Sequence, residues 1–375
     1  MTTVFWLSAL FLFYTYIGYP LLVFLWAKFR PNEIKTKEFE PTVTVVISAY
    51  NEQDRIVPRI ENLLEQNYPS AKLKIIVVSD GSTDETLERL HQIDTDRLHV
   101  IPLERNWGKS IAVSRGVTEA TGEIIVFADV RQRFCPNAIR SLAQPFSDQS
   151  IGATTGELIL ESSGSDQDME GVGLYWKYEK MIRDSESKID SMVGATGAIY
   201  AIRRSLYEPL PEGIILDDVL TPMRIAKKGF RVCMVRDAIA YDTLSGTSSE
   251  EFARKVRTLA GNFQLMQVAP WINNPFKNRL FFQWISHKVF RLLAPYAMIF
   301  LLISSFLIGN PFYSFFGLLQ LIVYIAAIAG LIAMSKGKKV KFVGTASNFL
   351  MLNITAVVGL YSILTGQTAS LWKKH

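Results

Sequence analysis

Three long stretches without a charged residue constrain this chain more than any other feature: Met1–Ala27, Leu292–Ser335 and Phe342–Leu371. A helix needs about 20 apolar residues to cross the hydrocarbon core of a bilayer, so these stretches hold roughly four spans. "GNP" (Gly309, Asn310, Pro311) is a turn signal that divides the middle stretch into a helical hairpin. A mean hydropathy of +0.17 over 375 residues is too apolar for an ordinary soluble protein. The expected organisation is an N-terminal transmembrane helix in residues 1–30, a soluble domain in 41–267, and about three transmembrane helices in 292–371.

The basic residues orient this arrangement. The first apolar stretch is too long for a typical signal-peptide core and has no basic segment before it. Lys28, Arg30, Lys35 and Lys37 follow it instead, which by the positive-inside rule keeps the soluble domain cytoplasmic. The expectation is a multi-pass protein of the cell inner (plasma) membrane, and "KGKKVK" (Lys336–Lys341) agrees with it. Four full spans would leave Lys373 and Lys374 outside, which points to a tilted, re-entrant or interfacial last stretch. In "FFQWISHKVFRLL", Gln283, His287 and Arg291 share one helix face, opposite Phe281, Phe282, Ile285, Val289, Leu292 and Leu293. That pattern predicts an interfacial amphipathic helix within residues 275–291.

Cys135 and Cys233 lie far apart in a cytoplasmic segment and are expected to be reduced thiols. The four histidines show no metal-ligand spacing. A net charge of +5 suits a domain against anionic lipid and phosphate-bearing substrates. Nucleic acid is not an expected partner, because basic and aromatic residues do not interleave.

Within the soluble domain, "TVTVVIS", "KIIVVS", "LHVIPL" and "EIIVFAD" are β-branched runs typical of buried parallel strands. Helical spacing in Glu52–Gln66, Asp84–Ile93 and Gly108–Ala120 separates them. This alternation predicts a doubly wound α/β sheet, whose ligands sit at the carboxyl ends of the strands. Polar turns cluster there: "SAYNE", "SDGSTD", "ERNWGKS", and Asp129 with Arg131 two residues on. Asp80 can accept from a base N–H or a ribose hydroxyl, or the turn can be no more than a helix cap near Asp84. Asn106 and Lys109 stand at a helix N-terminus, where amides, dipole and ammonium favour a diphosphate; an ordinary solvated lysine is the plainer alternative.

Together, "VVISAYNE", "VVSDGSTDET" and "NWGKSIAVSRG" resemble the nucleotide-binding motifs of the inverting, membrane-embedded family 2 glycosyltransferases. That group includes the synthases of cellulose, hyaluronan, chitin and poly-N-acetylglucosamine. The resemblance implies a GT-A fold: a Rossmann-like, mostly parallel α/β sheet flanked by transmembrane helices. It assigns Ala49, Tyr50, Glu52, Asp80, Asn106, Lys109, Asp129, Arg254 and Arg257 to the nucleotide-sugar. "GATGAIYAIRR" would line the acceptor pocket with Gly194, Thr196 and Gly197. "ILDDVLTPMRIAKKGFRV" resembles the T-E-D segment, putting Asp217 at the glutamate position and Asp218 at that of the catalytic base. A carboxylate is needed because an acceptor hydroxyl must lose its proton as it attacks, and adjacent acids raise each other's pKa.

The chain departs from the family pattern at two places. Asp129 matches the first aspartate of the D-x-D metal motif, but Arg131 fills the second position, pointing away from the metal or touching phosphate. A Mg²⁺ or Mn²⁺ ion needs only one or two carboxylates besides diphosphate oxygens and water, so a reduced but working metal site on Asp129 is expected. Thr258 replaces the tryptophan of the Q/R-x-x-R-W motif and removes an aromatic grip on sugar, though Trp176 is another candidate platform.

The implied activity is transfer of a sugar, UDP-linked in this expectation, to a lipid- or saccharide-linked acceptor at the inner membrane face. Cell-surface polysaccharide or glycolipid synthesis would be the context, with polysaccharide-export proteins as possible partners. A polyprenyl-phosphate glycosyltransferase and a non-catalytic nucleotide-sugar-binding subunit are the alternatives. Retention of Asp80, Lys109, Asp129 and Asp218 argues against the silent subunit.

Overall fold

The computed structural model describes residues 1–161, 170–243, 248–335 and 344–366; Lys336–Lys341, Lys373 and Lys374 lie outside them. In chain order, α1 (Thr2–Phe13) and α2 (Tyr19–Phe29) flank a π-helical turn, Tyr14–Gly18. Then come β1 (Val43–Ala49), α3 (Ile56–Leu64), β2 (Leu73–Asp80), α4 (Thr86–His91), β3 (Leu98–Leu103), α5 (Lys109–Glu119) and β4 (Ile124–Ala128). Next are β5 (Arg133–Phe134), α6 (Ala138–Ala143), β6 (Ile151–Glu161), α7 (Glu170–Ile189), β7 (Ile199–Arg203), α8 (Asp217–Lys227), β8 (Arg231–Thr243) and α9 (Ser248–Val268). The chain closes with α10 (Phe281–Gln283), a π-helical turn Trp284–Val289, α11 (Phe290–Leu307), α12 (Pro311–Ser335) and α13 (Gly344–Leu364).

The chain forms two compact units. One comprises Met1–Arg30, Gly164–Ser185 and Ser245–His375; the other comprises Pro31–Ser163 and Glu186–Leu244. The expected soluble domain of 41–267 is therefore interrupted, because α9 and most of α7 cluster with the apolar helices. Thr2–Phe29, Phe281–Leu307, Pro311–Ala333 and Gly344–Leu364 are long and apolar enough to cross a membrane. Their outward large side chains, such as Leu7, Phe300, Ile322 and Ile325, stay exposed, as lipid-facing residues do. In this unit α9 and α13 pack closely: a Cβ added at Gly359 would lie 2.9 Å from the Ala260 nitrogen.

The expected interfacial helix needs correction. Helix begins at Phe281 and continues unbroken to Leu307, so this segment opens a longer apolar helix. Nothing between Arg291 and Leu292 breaks a helix, and His287 is fully buried where the amphipathic reading placed it on the polar face.

The second unit is built on an eight-stranded sheet, ordered β3-β2-β1-β4-β7-β6-β8-β5. The first four strands are mutually parallel; β7 pairs antiparallel with β4 and β6, while β6 and β8 run parallel. Val45, Ile47, Ile75, Val77, Ile124 and Val126 are wholly buried, the outcome expected of apolar runs covered on both faces. After β1 the chain builds outward through β2 and β3, then returns to β4 on the other side of β1. This reversal is a topological switch point, where α/β sheets bind ligands. Pairing of Ile47 with Ala128 and of Asp80 with Leu103 brings the carboxyl ends onto one rim.

Gly116 lets α5 lie against the sheet, since a Cβ there would approach Val46 Cγ1 to 2.6 Å and Val78 Cγ2 to 3.1 Å. Gly116→Leu should therefore destabilise this unit by about 1–3 kcal/mol despite a better helix propensity, read as a lower Tm of the full chain in detergent. An unchanged Tm would show that the α5–sheet contact is looser than described.

Candidate active site at the strand rim

Glycine and aspartate at the end of β2 shape the rim. Gly81 has φ +67°, and a Cβ there would lie 2.3 Å from the Arg105 carbonyl carbon. The β2 loop thus touches the backbone of the β3–α5 loop, an approach open only to glycine. Asp80, 2% exposed, completes the contact: Oδ1 accepts from the Trp107 N–H at 2.8 Å and Oδ2 from the Gly108 N–H at 2.9 Å. Gly108, at φ +89°, then turns the chain into α5 with Lys109 as its first residue. Asp80 ends β2 with both oxygens engaged by the neighbouring loop.

Lys109 is the centre of charge. Its Nζ lies 2.8 Å from Asp129 Oδ1, after β4, and 3.9 Å from Asp217 Oδ2, the first residue of α8. Burial works against its ammonium, but Asp129, Asp217 and Asp218 together hold its pKa above the usual lysine value. Ser110, beside it in the first turn of α5, has a buried Oγ with no hydrogen-bond partner among the described residues. A helix start that offers free N–H groups, an ammonium and an unsatisfied hydroxyl is suited to phosphate oxygens.

The acidic wall is held from the other side by β7 and the loop before it. Asp218 O accepts from the Ala195 N–H at 2.7 Å, and a Cβ on Gly197 would come within 3.0 Å of Asp218 Oδ2. Gly194, at φ +85°, makes the turn that permits this. Thr196 binds inward, its N–H donating to Thr155 Oγ1 at 2.8 Å and its hydroxyl to Gly156 O at 3.3 Å. Asp217 is buried, whereas Asp218 is half-buried next to Gly197.

The β1 loop is tied to the β2 loop. Asn51, at φ +53°, accepts from the Thr83 N–H at 2.8 Å, and the Glu52 N–H donates to Thr86 Oγ1 at 2.8 Å. Asp84 caps α4: it accepts from the Thr86 N–H at 3.0 Å and from the Gln53 N–H at 3.2 Å. Burial pushes the Asp84 carboxyl up, but these hydrogen bonds outweigh it and lower the pKa overall. Ala49 is buried, Tyr50 is half-buried, and Glu52 pairs with Arg55 at 3.2 Å. Asn106 is exposed, next to Trp107, whose ring carries the Arg105 guanidinium at 3.8 Å.

Arg131, the departure at the second metal position, is bound to Asp242 at 2.5 Å, and Gln132 Nε2 donates to the same oxygen at 3.0 Å. Asp242 is 1% exposed, so this pair anchors the β4–β5 turn to β8. Among the described residues there is no cluster of three or more metal-ligand side chains. Asp129, with a 38% exposed side chain, is a rim carboxylate that could hold a cation arriving with its own oxygen ligands. Arg254 and Arg257 lie on α9 in the other unit, where Arg254 pairs with Glu251 and the exposed Thr258 hydroxyl donates to Arg254 O at 3.0 Å.

Sequence reasoning missed Arg59. It stacks on Phe134 at 4.2 Å and donates to Asn62 Oδ1 at 2.9 Å. Burial lowers its pKa and Asp129 opposes that shift. A lone arginine on the apolar face of α3 was the available signal. It missed Asp242 too, since nothing in the sequence links β8 to Arg131. Cys135 and Cys233 are both free thiols, and burial pushes the Cys233 thiol up to about 11, which leaves it unreactive.

Residues 44–210 match the model of glycosyl transferase family 2. An N-acetylglucosaminyltransferase of Rhizobium leguminosarum bv. viciae is 25% identical over 245 residues, covering 60% of this chain and 56% of that protein. A poly-beta-1,6-N-acetyl-D-glucosamine synthase of Staphylococcus aureus (strain MSSA476) is 22% identical over 63% of this chain and 58% of that protein. The matches thus span little more than half the length of these relatives. Among solved structures, the mannosyltransferase PcManGT from Pyrobaculum calidifontis, in complex with GDP-Man and Mn²⁺, is similar in fold. It has a TM-score of 0.72 at 21% identity, covering 95% of this chain and 98% of that one.

Asp80→Ala removes the acceptor of two backbone N–H groups, each worth about 1–3 kcal/mol if left buried and unpaired. Faster amide exchange at residues 105–109 is expected, with the sheet core unaffected. Protection equal to wild type would contradict the clamp.

Proposed function

We propose, for a chain that carries a glycosyl transferase family 2 domain on a GT-A-like fold, an inverting transfer of a sugar from a nucleotide-sugar to a hydroxyl of a lipid- or saccharide-linked acceptor in polysaccharide or glycolipid synthesis. The setting is the inner face of a cytoplasmic membrane, to which the four apolar helices anchor the protein. One observation carries the reading: Lys109, at the start of α5, stands between Asp129 and Asp217, with Asp218 the next residue. A phosphate seat and a carboxylate base thereby share one rim.

In this reading the donor diphosphate lies over the first turn of α5, bonded by backbone N–H groups, Ser110 and Lys109. The nucleoside end reaches the β1 and β2 loops near Tyr50 and Ser82. Asp218, more open than Asp217 and beside Gly197, takes the acceptor proton as the acceptor oxygen attacks the anomeric carbon. The bond from that carbon to the diphosphate breaks, and the electron pair leaves with the nucleoside diphosphate. Lys109 stabilises the charge that develops there, and Asp217 holds Lys109 in place. A Mg²⁺ or Mn²⁺ ion held by Asp129 would further neutralise the diphosphate. The family-typical donor is UDP-linked, and Thr258 in place of tryptophan supports addition of one or a few sugars per acceptor encounter.

Asp218→Asn should keep nucleotide binding and lose about two to four orders of magnitude in transfer, with nucleoside diphosphate release as the readout. Normal transfer by Asp218→Asn together with loss in Asp217→Asn would reassign the base. A second expectation concerns the ion. Lys109 already occupies Asp129, so Mn²⁺ should bind weakly to the protein alone and much more tightly with UDP, as followed by electron paramagnetic resonance. Chelator should abolish transfer and Mg²⁺ or Mn²⁺ restore it; full activity in excess chelator would contradict a role for metal.

A further inference from the structure

A proline stands inside α8, where a helix tolerates it badly. Pro222 is the sixth residue of Asp217–Lys227 and is buried, so it lies beyond the first turn, where proline is readily accepted. A proline in a helix interior has no N–H for the carbonyl four residues back, and its ring crowds that carbonyl. Here the carbonyl belongs to Asp218, the half-buried carboxylate of the rim.

That carbonyl has found a partner outside the helix. Leu216 O, two residues earlier, is filled from within α8 by the Val219 and Leu220 N–H groups at 3.3 and 3.0 Å. Asp218 O instead accepts from the Ala195 N–H at 2.7 Å, in the loop before β7. An N–H at position 222 would compete for the same oxygen and draw it toward the helix axis.

The rest of that loop closes on the same residue. A Cβ on Gly194 would lie 2.9 Å from Val219 Cγ2 and 3.4 Å from Asp218 O, and one on Gly197 would lie 3.0 Å from Asp218 Oδ2. On its other side the loop is pinned to β6, where the Thr196 N–H donates to Thr155 Oγ1 at 2.8 Å. Asp218 is thus held at both ends, by an amide on its main-chain oxygen and by glycine backbone beside its carboxylate.

We infer that Pro222 is a positioning residue: by withholding an N–H it leaves the Asp218 carbonyl to Ala195, which docks the 194–197 loop against the Asp218 carboxylate. This rests on the proposed function in one respect, the role of that carboxylate as the base. Pro222 acts only through Asp218.

The test uses the full chain in detergent with Pro222→Ala and, separately, Pro222→Val. Both restore the N–H, and one side chain is smaller than proline and the other larger, so together they bracket any effect of packing. Amide exchange in residues 194–198 should be about ten-fold faster in both variants, the scale of one lost hydrogen bond. The Tm of Pro222→Ala should equal or exceed that of wild type, because alanine suits a helix interior far better. Transfer should nevertheless fall: kcat drops about ten- to a hundred-fold, the scale of a catalytic group misplaced by about 1 Å, while donor KM and UDP binding stay unchanged. Exchange or kcat equal to wild type in both variants would overturn the inference. A loss confined to one variant, or a lower Tm in Pro222→Ala, would mark a packing role and overturn it too. Asp218→Asn, assayed in parallel, keeps the claims separate. Normal transfer by Asp218→Asn refutes the assignment of the base, whereas its failure beside fully active Pro222 variants refutes this inference alone.

Discussion

Two hydrogen bonds from a backbone to a buried carboxylate set the geometry of the rim. Asp80 holds the Trp107 and Gly108 amides while Gly81 admits the same loop to contact distance, and α5 must then begin at Lys109. Once Lys109 is placed, Asp129 and Asp217 find their partner and three segments far apart in sequence share one charge network. Such a network is strong in a low-dielectric rim and costly if half-made, so it fixes its members closely. Asp80 therefore supports the proposed donor site as a positioning residue, with both oxygens already occupied.

The strands and the long apolar helices were legible in the sequence for a plain reason. Both are marked by continuous burial, which β-branched runs and charge-free stretches report directly. The rim turns were legible as a set, since Asp80, Lys109, Asp129 and Asp217 all follow or begin elements whose ends align. Less visible was which atom each side chain would meet. Arg131 looked like a metal-site defect, but it finds Asp242 on β8, an antiparallel partner of β5 that only the sheet order brings near. Arg59 was missed because its neighbour, Phe134, comes from a distant segment. The segment around His287 was misjudged because amphipathicity reports that a polar face exists, without saying whether water or Glu179 satisfies it.

In the proposed function, an arginine at position 131 is compatible with an ion that arrives with a diphosphate. Asp129 keeps a partly exposed carboxylate, and Lys109 balances its charge until a ligand competes for it. The same lysine can then serve the phosphates. In the proposed function this arrangement would tie cation affinity to donor binding, which suits a site with few carboxylates of its own.

The most direct measurement is an anomalous difference map from crystals grown with UDP and Mn²⁺, collected at the manganese edge. The account predicts a manganese peak on the Asp129 carboxylate, the diphosphate over the first turn of α5 next to Lys109 and Ser110, and the Asp80 clamp unchanged. A diphosphate bound away from α5, or manganese held by other residues with Lys109 still closed on Asp129, would contradict it.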